Sequence, residues 1–443
     1  MIQVLKNNAK LYITWLIMTI FILVGVATTG LLSFVALAIF GLFVVFSPIN
    51  DSCALLFGLL PFANIFKYQA GATSFFTICE LLIVLVAIFK CKKVKATFIL
   101  SIFVFAAYML VSSISTLNIL VVIKVLLGFC LIYLVTYNAK KEDVLNISYL
   151  LGVSTIIMLL LSTNDTYFEF VEPYLLDLDY VLDSTGHASN VMRISGFMGD
   201  PNYCGALIVI SLALLCVLYY YKELKNEFWV FLAFLIPLGF LTYSKSYFLC
   251  ISALILFLIL FVLFPKHKGW AIVSILVVIT VISMAFSGKI EVFNVVFERF
   301  LIGDIMSGRS ELNDLYLAYI WENSEVLFFG EGIATDRIVG ANNNVHNIYI
   351  ESLFKLGGVG CLIYICTLLA STNSPKNITI KRKIVNFLPL IFFAVLFFAL
   401  AGITMYELPF YIAIVFLAKD FNLLDDHVSH QISLQGEKSN EKV

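Results

Sequence analysis

A few cations and one histidine, set in otherwise acidic segments, are the residues of this chain best suited to chemistry. Arg193 stands in Arg193-Ile194-Ser195-Gly196-Phe197-Met198-Gly199-Asp200-Pro201-Asn202. Lys289, Arg299, Arg309 and Arg337 are scattered through a later stretch. His346 follows in Asn342-Asn343-Asn344-Val345-His346-Asn347-Ile348-Tyr349, with Glu351 and Gly357-Gly358-Val359-Gly360 just beyond. The fork of N–H donors on a guanidinium matches the oxygens of a phosphate or pyrophosphate, so arginines held at a membrane surface are candidate clamps for a lipid pyrophosphate. Pairing with a neighbouring carboxylate is the alternative for each of them. An imidazole can take a proton from an attacking hydroxyl near neutral pH. For His346 the alternative is a cap or hydrogen bond at the start of a helix, while His187, in a Ser/Thr/Gly/Asn-rich segment, reads as solvated.

These residues need a scaffold, and composition says which kind. Of 443 residues, 61% are hydrophobic and 13% charged, and the mean hydropathy is +0.99. A soluble domain cannot bury that much apolar surface. Runs such as Leu11 to Thr29, Ala96 to Ser115, Leu207 to Tyr221 and Ile272 to Phe286 approach or reach the roughly 20 residues that a helix needs to cross about 30 Å of hydrocarbon. Backbone groups in lipid must be satisfied within the segment, so the expected fold is an all-α, polytopic integral membrane protein. About fourteen spans (twelve to fourteen) are expected, at roughly 11–29, 31–47, 53–66, 73–89, 96–115, 118–137, 144–162, 203–221, 228–243, 246–264, 269–286, 347–370, 385–402 and 405–418.

Lysine and arginine then orient the spans. The clusters Lys6/Lys10, Lys90/Lys92/Lys93/Lys95, Lys140/Lys141, Lys222/Lys225, Lys266/Lys268 and Lys376/Lys381/Arg382/Lys383 all fall on the side of the N-terminus in a fourteen-span arrangement. Lys67 and Lys245 are isolated cations on the other side. Both termini are therefore expected in the cytoplasm, with a membrane domain over 1–419 and a polar cytoplasmic tail over 420–443. Two large extracytoplasmic loops remain, about 162–202 and 287–346. The second contains Glu311 to Trp321, whose apolar spacing is helical. Nine cysteines, mostly within spans and without a CxxC, predict neither a disulfide framework nor a thiolate metal site. A net charge of −1 predicts no nucleic-acid partner.

The pattern resembles the O-antigen ligase and polymerase superfamily, and within it a Wzy-type surface-polysaccharide polymerase. The matching parts are Arg193-x-x-Gly196-Phe197-x-x-Asp200-Pro201-Asn202 before a span, Thr242-Tyr243-Ser244-Lys245-Ser246 at a span end, and a late block. That block comprises Gly308-Arg309, Trp321, Gly330-x-Gly332, His346-Asn347-x-Tyr349-x-Glu351 and Leu356-Gly357-x-x-Gly360. Together they run in order over about 193–360. The resemblance implies a metal-independent GT-C type glycosyltransferase without a cofactor, in the bacterial inner membrane with its active site periplasmic. It would act on undecaprenyl-pyrophosphate-linked saccharides, beside a polysaccharide co-polymerase (chain-length regulator) and a flippase of the same lipopolysaccharide or capsule pathway. Carried over, Arg193 and Arg309 hold the donor pyrophosphate and His346 assists the acceptor hydroxyl. Lys245, Asn202, Asn347, Tyr349, Glu351, Arg299 and Arg337 are the expected substrate-binding residues. Relatives commonly carry Ser-Arg where this chain has Ser244-Lys245, which substitutes a point charge for a fork.

Such chemistry needs no metal: pyrophosphate is a good leaving group, and fixed cations can stabilise the charge that develops on it. Asp177-Leu178-Asp179 matches the short DxD string of metal-dependent glycosyltransferases, but three residues recur easily by chance. Two other readings stay open. A ligase would move the finished glycan to lipid A core or protein, and a lipid-linked oligosaccharide flippase would use ionisable residues within spans, for which Glu80 and Lys124 are available. A structural pair, or a place near polar surface, is the preferred reading of those two.

Overall fold

The computed structural model describes residues 8–28, 30–91, 94–112, 118–136, 139–175, 193–259, 309–335 and 347–372, with short pieces at 269, 272–276, 338, 412–414 and 417. Among the described residues the chain is helical, without strands. The first half runs α1 (Ala9–Val26), α2 (Leu31–Phe46), α3 (Ile49–Leu59, extended by a 3-10 turn over Leu60–Phe62), α4 (Phe75–Lys90), α5 (Ala96–Ser112), α6 (Ile119–Thr136) and α7 (Lys141–Ser162). A short α8 (Asp165–Val171) follows, then α9 (Pro201–Tyr220), α10 (Asn226–Phe240) and α11 (Lys245–Phe257). The last part holds α12 (Arg309–Glu322), α13 (Ser324–Phe329) and α14 (Ile348–Ser371). Five of these, α1, α6, α7, α9 and α14, are long and apolar enough to cross a membrane, and α2, α3, α5, α10 and most of α11 are shorter apolar helices. The chain is a membrane-embedded helical protein. Spans expected at 385–402, most of 269–286 and most of 405–418, and the tail at 420–443, lie outside the described residues.

Burial separates the interior from the periphery. Every side chain of α9 from Cys204 to Leu218 is buried, so this helix is apolar all round because protein surrounds it on all sides. α1, α5 and the latter part of α14 instead leave large apolar side chains exposed, among them Ile13, Leu100, Phe103, Leu362 and Leu369, as lipid-facing helices do. Lipid tails are as apolar as leucine, so close packing and interhelical hydrogen bonds hold such a bundle together. Trp15 on α1 donates its indole N–H to Gly58 O (3.2 Å) on α3 and to Ser154 Oγ (3.0 Å) on α7. Ser154 in turn donates to Gly58 O at 2.5 Å, which ties three helices at one node. At Gly239 and Gly205 an added Cβ would lie 2.3 and 3.1 Å from Tyr247 atoms. These two glycines let Tyr247 of α11 seat against α10 and α9.

Three contacts fix the direction of α14. Lys95 Nζ donates to Thr372 O (3.3 Å), Thr367 Oγ1 to Ser101 O (3.3 Å) and Tyr108 OH to Leu356 O (2.5 Å). As α5 is read upward, α14 is read downward, so the two are antiparallel. The start of α14 therefore lies at the end of the bundle where α5 finishes. The sequence expectation of one unbroken span over 347–370 is corrected here. α14 breaks at Gly357, whose φ of 63° and ψ of 179° are non-helical.

The break is held by a partner segment. Glu331 N–H donates to Phe354 O (2.8 Å) and Gly332 N–H to Lys355 O (3.1 Å), while the Tyr108 hydroxyl takes Leu356 O. The three carbonyls just before the break are thus all satisfied, as a discontinuity at membrane depth requires. α12 and α13 pack on the half-helix above it. Tyr316 and Ile320, both fully buried, and Val326 surround Phe354, with the Tyr316 and Phe354 rings 5.1 Å apart and near perpendicular. The expected helix over Glu311 to Trp321 is this α12.

Candidate functional site

Polar side chains converge where the 193–200 segment meets the turn between α10 and α11. That turn forms because α10 unwinds through three successive short bonds, Leu241 N to Leu238 O, Thr242 N to Gly239 O and Tyr243 N to Phe240 O. Tyr243 is left at φ 47°, a left-handed conformation that costs a non-glycine residue about 1 kcal/mol or more. Ser244 then caps α11 by accepting from Tyr247 N. The strained turn presents two carbonyls outward. Ile194 N–H donates to Leu241 O and Arg193 Nε–H to Thr242 O, both at 3.1 Å.

The remainder of the segment is pinned from the opposite flank. Phe197 is fully buried between the rings of Phe62 and Tyr167, and Asn64 Nδ2 donates to Met198 O at 3.1 Å. Asp200 opens α9 by accepting from Asn202 N–H at 2.5 Å, with Pro201 at the first helical position where its missing donor costs nothing. Ser244 Oγ donates to Asn202 Oδ1 at 2.9 Å, closing a link from the start of α9 to the start of α11. Arg193, Asn202 and Lys245, expected together from motifs some 40 residues apart in sequence, therefore share one polar junction, with Lys245 the first residue of α11.

The late block lies at the same end of the bundle, by the antiparallel register of α5 and α14. Arg309 opens α12. Asn347 is the N-cap of α14, its side chain accepting from Tyr349 N (3.0 Å) and Ile350 N (3.4 Å). Asn347 and Asn202 thus both commit their side-chain oxygens to helix ends. Tyr349 is exposed, whereas Glu351 is buried and receives a 2.7 Å bridge from Lys355 one turn on. Arg299, Arg337, His346 and the Asp177/Asp179 string lie outside the described residues.

Two residues here escaped the sequence reading. Lys355 was legible in principle, since it stands four residues after Glu351 on one helix face. Lys67, an isolated cation in the sequence, is 3% exposed and donates from Nζ to Tyr174 O at 3.1 Å. Burial pushes its ammonium below the usual lysine range, and the nearby Lys124 adds to the effect. Nothing in the local sequence marks Lys67, because its partner is more than a hundred residues away. Glu80 is likewise buried on α4, in the field of Lys124 on α6. Tyr319 donates to Glu331, and that carboxylate pushes the phenol up to about 12.

The fold and this junction define a class: a membrane-embedded helical protein with arginine, lysine and amide groups gathered at one end of its bundle. No protein-family model, curated protein or solved structure matches the chain.

Proposed function

We propose that the chain is a polysaccharide polymerase of the Wzy type, a GT-C glycosyltransferase that elongates a surface glycan at the outer face of the inner membrane. The observation that carries this reading is the junction itself. Arg193 is anchored through Thr242 O to the turn that leads into α11, whose first residue is Lys245, so residues of two cationic motifs belong to one turn, an arrangement that suits a lipid pyrophosphate. In the reaction the acceptor hydroxyl oxygen of one lipid-linked repeat attacks the anomeric carbon of the donor glycan. The bond from that carbon to the pyrophosphate oxygen breaks, and undecaprenyl pyrophosphate leaves with the bonding pair. Arg193, Arg309 and Lys245 stabilise the charge gathering on the leaving group, and His346 takes the hydroxyl proton.

Asn347 bears on the role of His346: of the two alternatives for the histidine, a cap or a hydrogen bond at the start of α14, the cap position is taken by Asn347. Glu351, already paired with Lys355, is a poor base by comparison. Replacement of His346 by Gln is expected to lower elongation roughly 10²–10⁴-fold while leaving donor binding largely intact. The check is turnover of purified protein on lipid-linked repeats across pH. Near wild-type turnover with an unchanged pH profile would remove His346 as the base.

The topology belongs to the same proposal: fourteen spans, both termini cytoplasmic and the junction periplasmic. Reporter tags at Lys92, Lys140, Glu223 and Thr379 are expected to read cytoplasm, and tags near Asp179 and Glu325 the opposite side. One tag on the wrong face overturns the arrangement. The surface glycan of a deletion strain tests the function. A single capped repeat on the lipid core supports the polymerase, and complete chains stranded on undecaprenyl pyrophosphate mean a ligase. A lipid-saccharide transporter is the second reading, favoured by buried Glu80 and by the broken α14, since discontinuous helices and intramembrane charges build transport sites.

A further inference from the structure

Trp321 belongs to the late block yet takes no part in the junction. It stands in the last turn of α12, 68% exposed, and α13 finishes on Phe328 and Phe329, 54% and 56% exposed. The inward faces of both helices are already used, through Tyr316, Ile320 and Val326 against Phe354. The three outward aromatics therefore stand on a corner that no described part of the chain covers. Aromatic side chains carry a large apolar surface each, and such a corner in water would be costly.

What covers it follows from where it sits. Phe329 O lies 2.9 Å from the hydroxyl of Tyr108, four residues before the end of α5. The backbone of Phe328 lies against Gly357, where an added Cβ would be 2.5 Å from Phe328 O. Directly after Gly357, α14 exposes Val359, Leu362, Ile365 and Leu369, a stripe at helical spacing that faces the bilayer. The backbones of Phe328 and Phe329, at Gly357 and Tyr108, stand at the head of that stripe. Exposed Glu322 and Glu325 lie between Trp321 and Phe328 in the chain and keep that side of the corner in water, while Trp321 is of the residue type enriched at the boundary between acyl chains and water.

We propose that the α12–α13 corner is a membrane anchor: Trp321, Phe328 and Phe329 insert shallowly, about 5–10 Å, into the leaflet at this end of the bundle. The occupant of the aromatic corner is bulk lipid, and the inference rests on membrane embedding alone, whether or not the chain transfers sugars. It gives the α12–α13 layer a fixed height above the lipid without a covalent tether.

The test uses full-length protein in vesicles of phosphatidylglycerol and phosphatidylethanolamine. The emission of Trp321 is read as the difference between the natural chain and Trp321→Phe, a variant that removes no buried group. Lipids brominated near the headgroup end of the acyl chain are expected to quench this difference emission more than lipids brominated deeper, and aqueous iodide is expected to leave most of it. A second reporter, Phe328→Trp in the Trp321→Phe chain, is expected to behave alike. Quenching by iodide and not by brominated lipid would put the corner in water and overturn the proposal. Emission untouched by either quencher would mean a protein cover, and would overturn it as well.

Discussion

Replacing Arg193 by Ala is expected to reduce chain elongation by roughly 10²–10³-fold or more, the worth of one preorganised charged donor at a developing oxyanion, while the protein still accumulates in the membrane. Arg193→Lys is expected to recover little, because one ammonium cannot both hold Thr242 O and present a fork to a pyrophosphate. The measurement is elongation on lipid-linked repeats set beside the amount of folded protein. The contrasting outcome is specific. Were Arg193 only a tether for the α10–α11 turn, its loss would cost the net worth of one charged hydrogen bond, about 1.5–3 kcal/mol. Folded protein would then fall, and whatever folded would retain its activity. Full activity in the Ala variants of both Arg193 and Arg309 would remove the clamp from the mechanism.

The second large effect is expected at Gly357. A φ of 63° with ψ of 179° is a region that glycine alone occupies readily, and forcing alanine into it costs on the order of 1–3 kcal/mol. Space makes matters worse. The added Cβ would stand 2.5 Å from Gly330 N and from Phe328 C and O, which are backbone atoms and cannot rotate aside. Gly357→Ala is therefore expected to undock α13 and the 330–332 turn from α14 and to abolish activity. Gly71 provides the comparison: its φ is 75° but nothing lies within 4 Å of its built Cβ. Gly71→Ala pays the conformational term alone and is expected to leave a folded, active protein. Thermal unfolding in detergent and limited proteolysis of the 322–335 region separate the two cases. Equal stability of both variants would mean that the close approach at Gly357 carries no energy.

The same glycine marks how far the sequence could be read. Helix positions were legible because apolar runs bounded by lysines and polar turns have no other physical solution in lipid; Ala96–Ser112 and Ile119–Thr136 lie where expected. Helix starts were less so. α3 begins at Ile49, upstream of the expected residue 53, because Pro48 precedes it and Asn50 finds Asp143 Oδ2 at 2.7 Å, a partner on α7 that no local pattern announces. α7 starts at Lys141 since Asp143 turns back to accept from Lys140 N. The break in α14 was hidden for the same reason. Gly357-Gly358-Val359-Gly360 permits a helix or a break, and the 330–332 turn decides between them. The meeting of Arg193 with Thr242 was readable as adjacency of motifs at one membrane side. The strained Tyr243 that presents the carbonyl was not, because tyrosine has no preference for a positive φ.

α3 bears on how the chain reaches its final form. Eleven helical residues and a three-residue 3-10 turn extend only about 22 Å, short of the roughly 30 Å of hydrocarbon. Asn50 and Asp51 near its start make it a weak substrate for insertion on its own. Its side chains from Ser52 to Leu59 are buried, and α7, against which Gly58 closes, is complete only at Ser162. At synthesis rates of about 5–20 residues per second, α3 waits on the order of 5–20 s for its cover. During that interval it is an unfinished insertion intermediate that depends on the insertion machinery or a chaperone to keep its place.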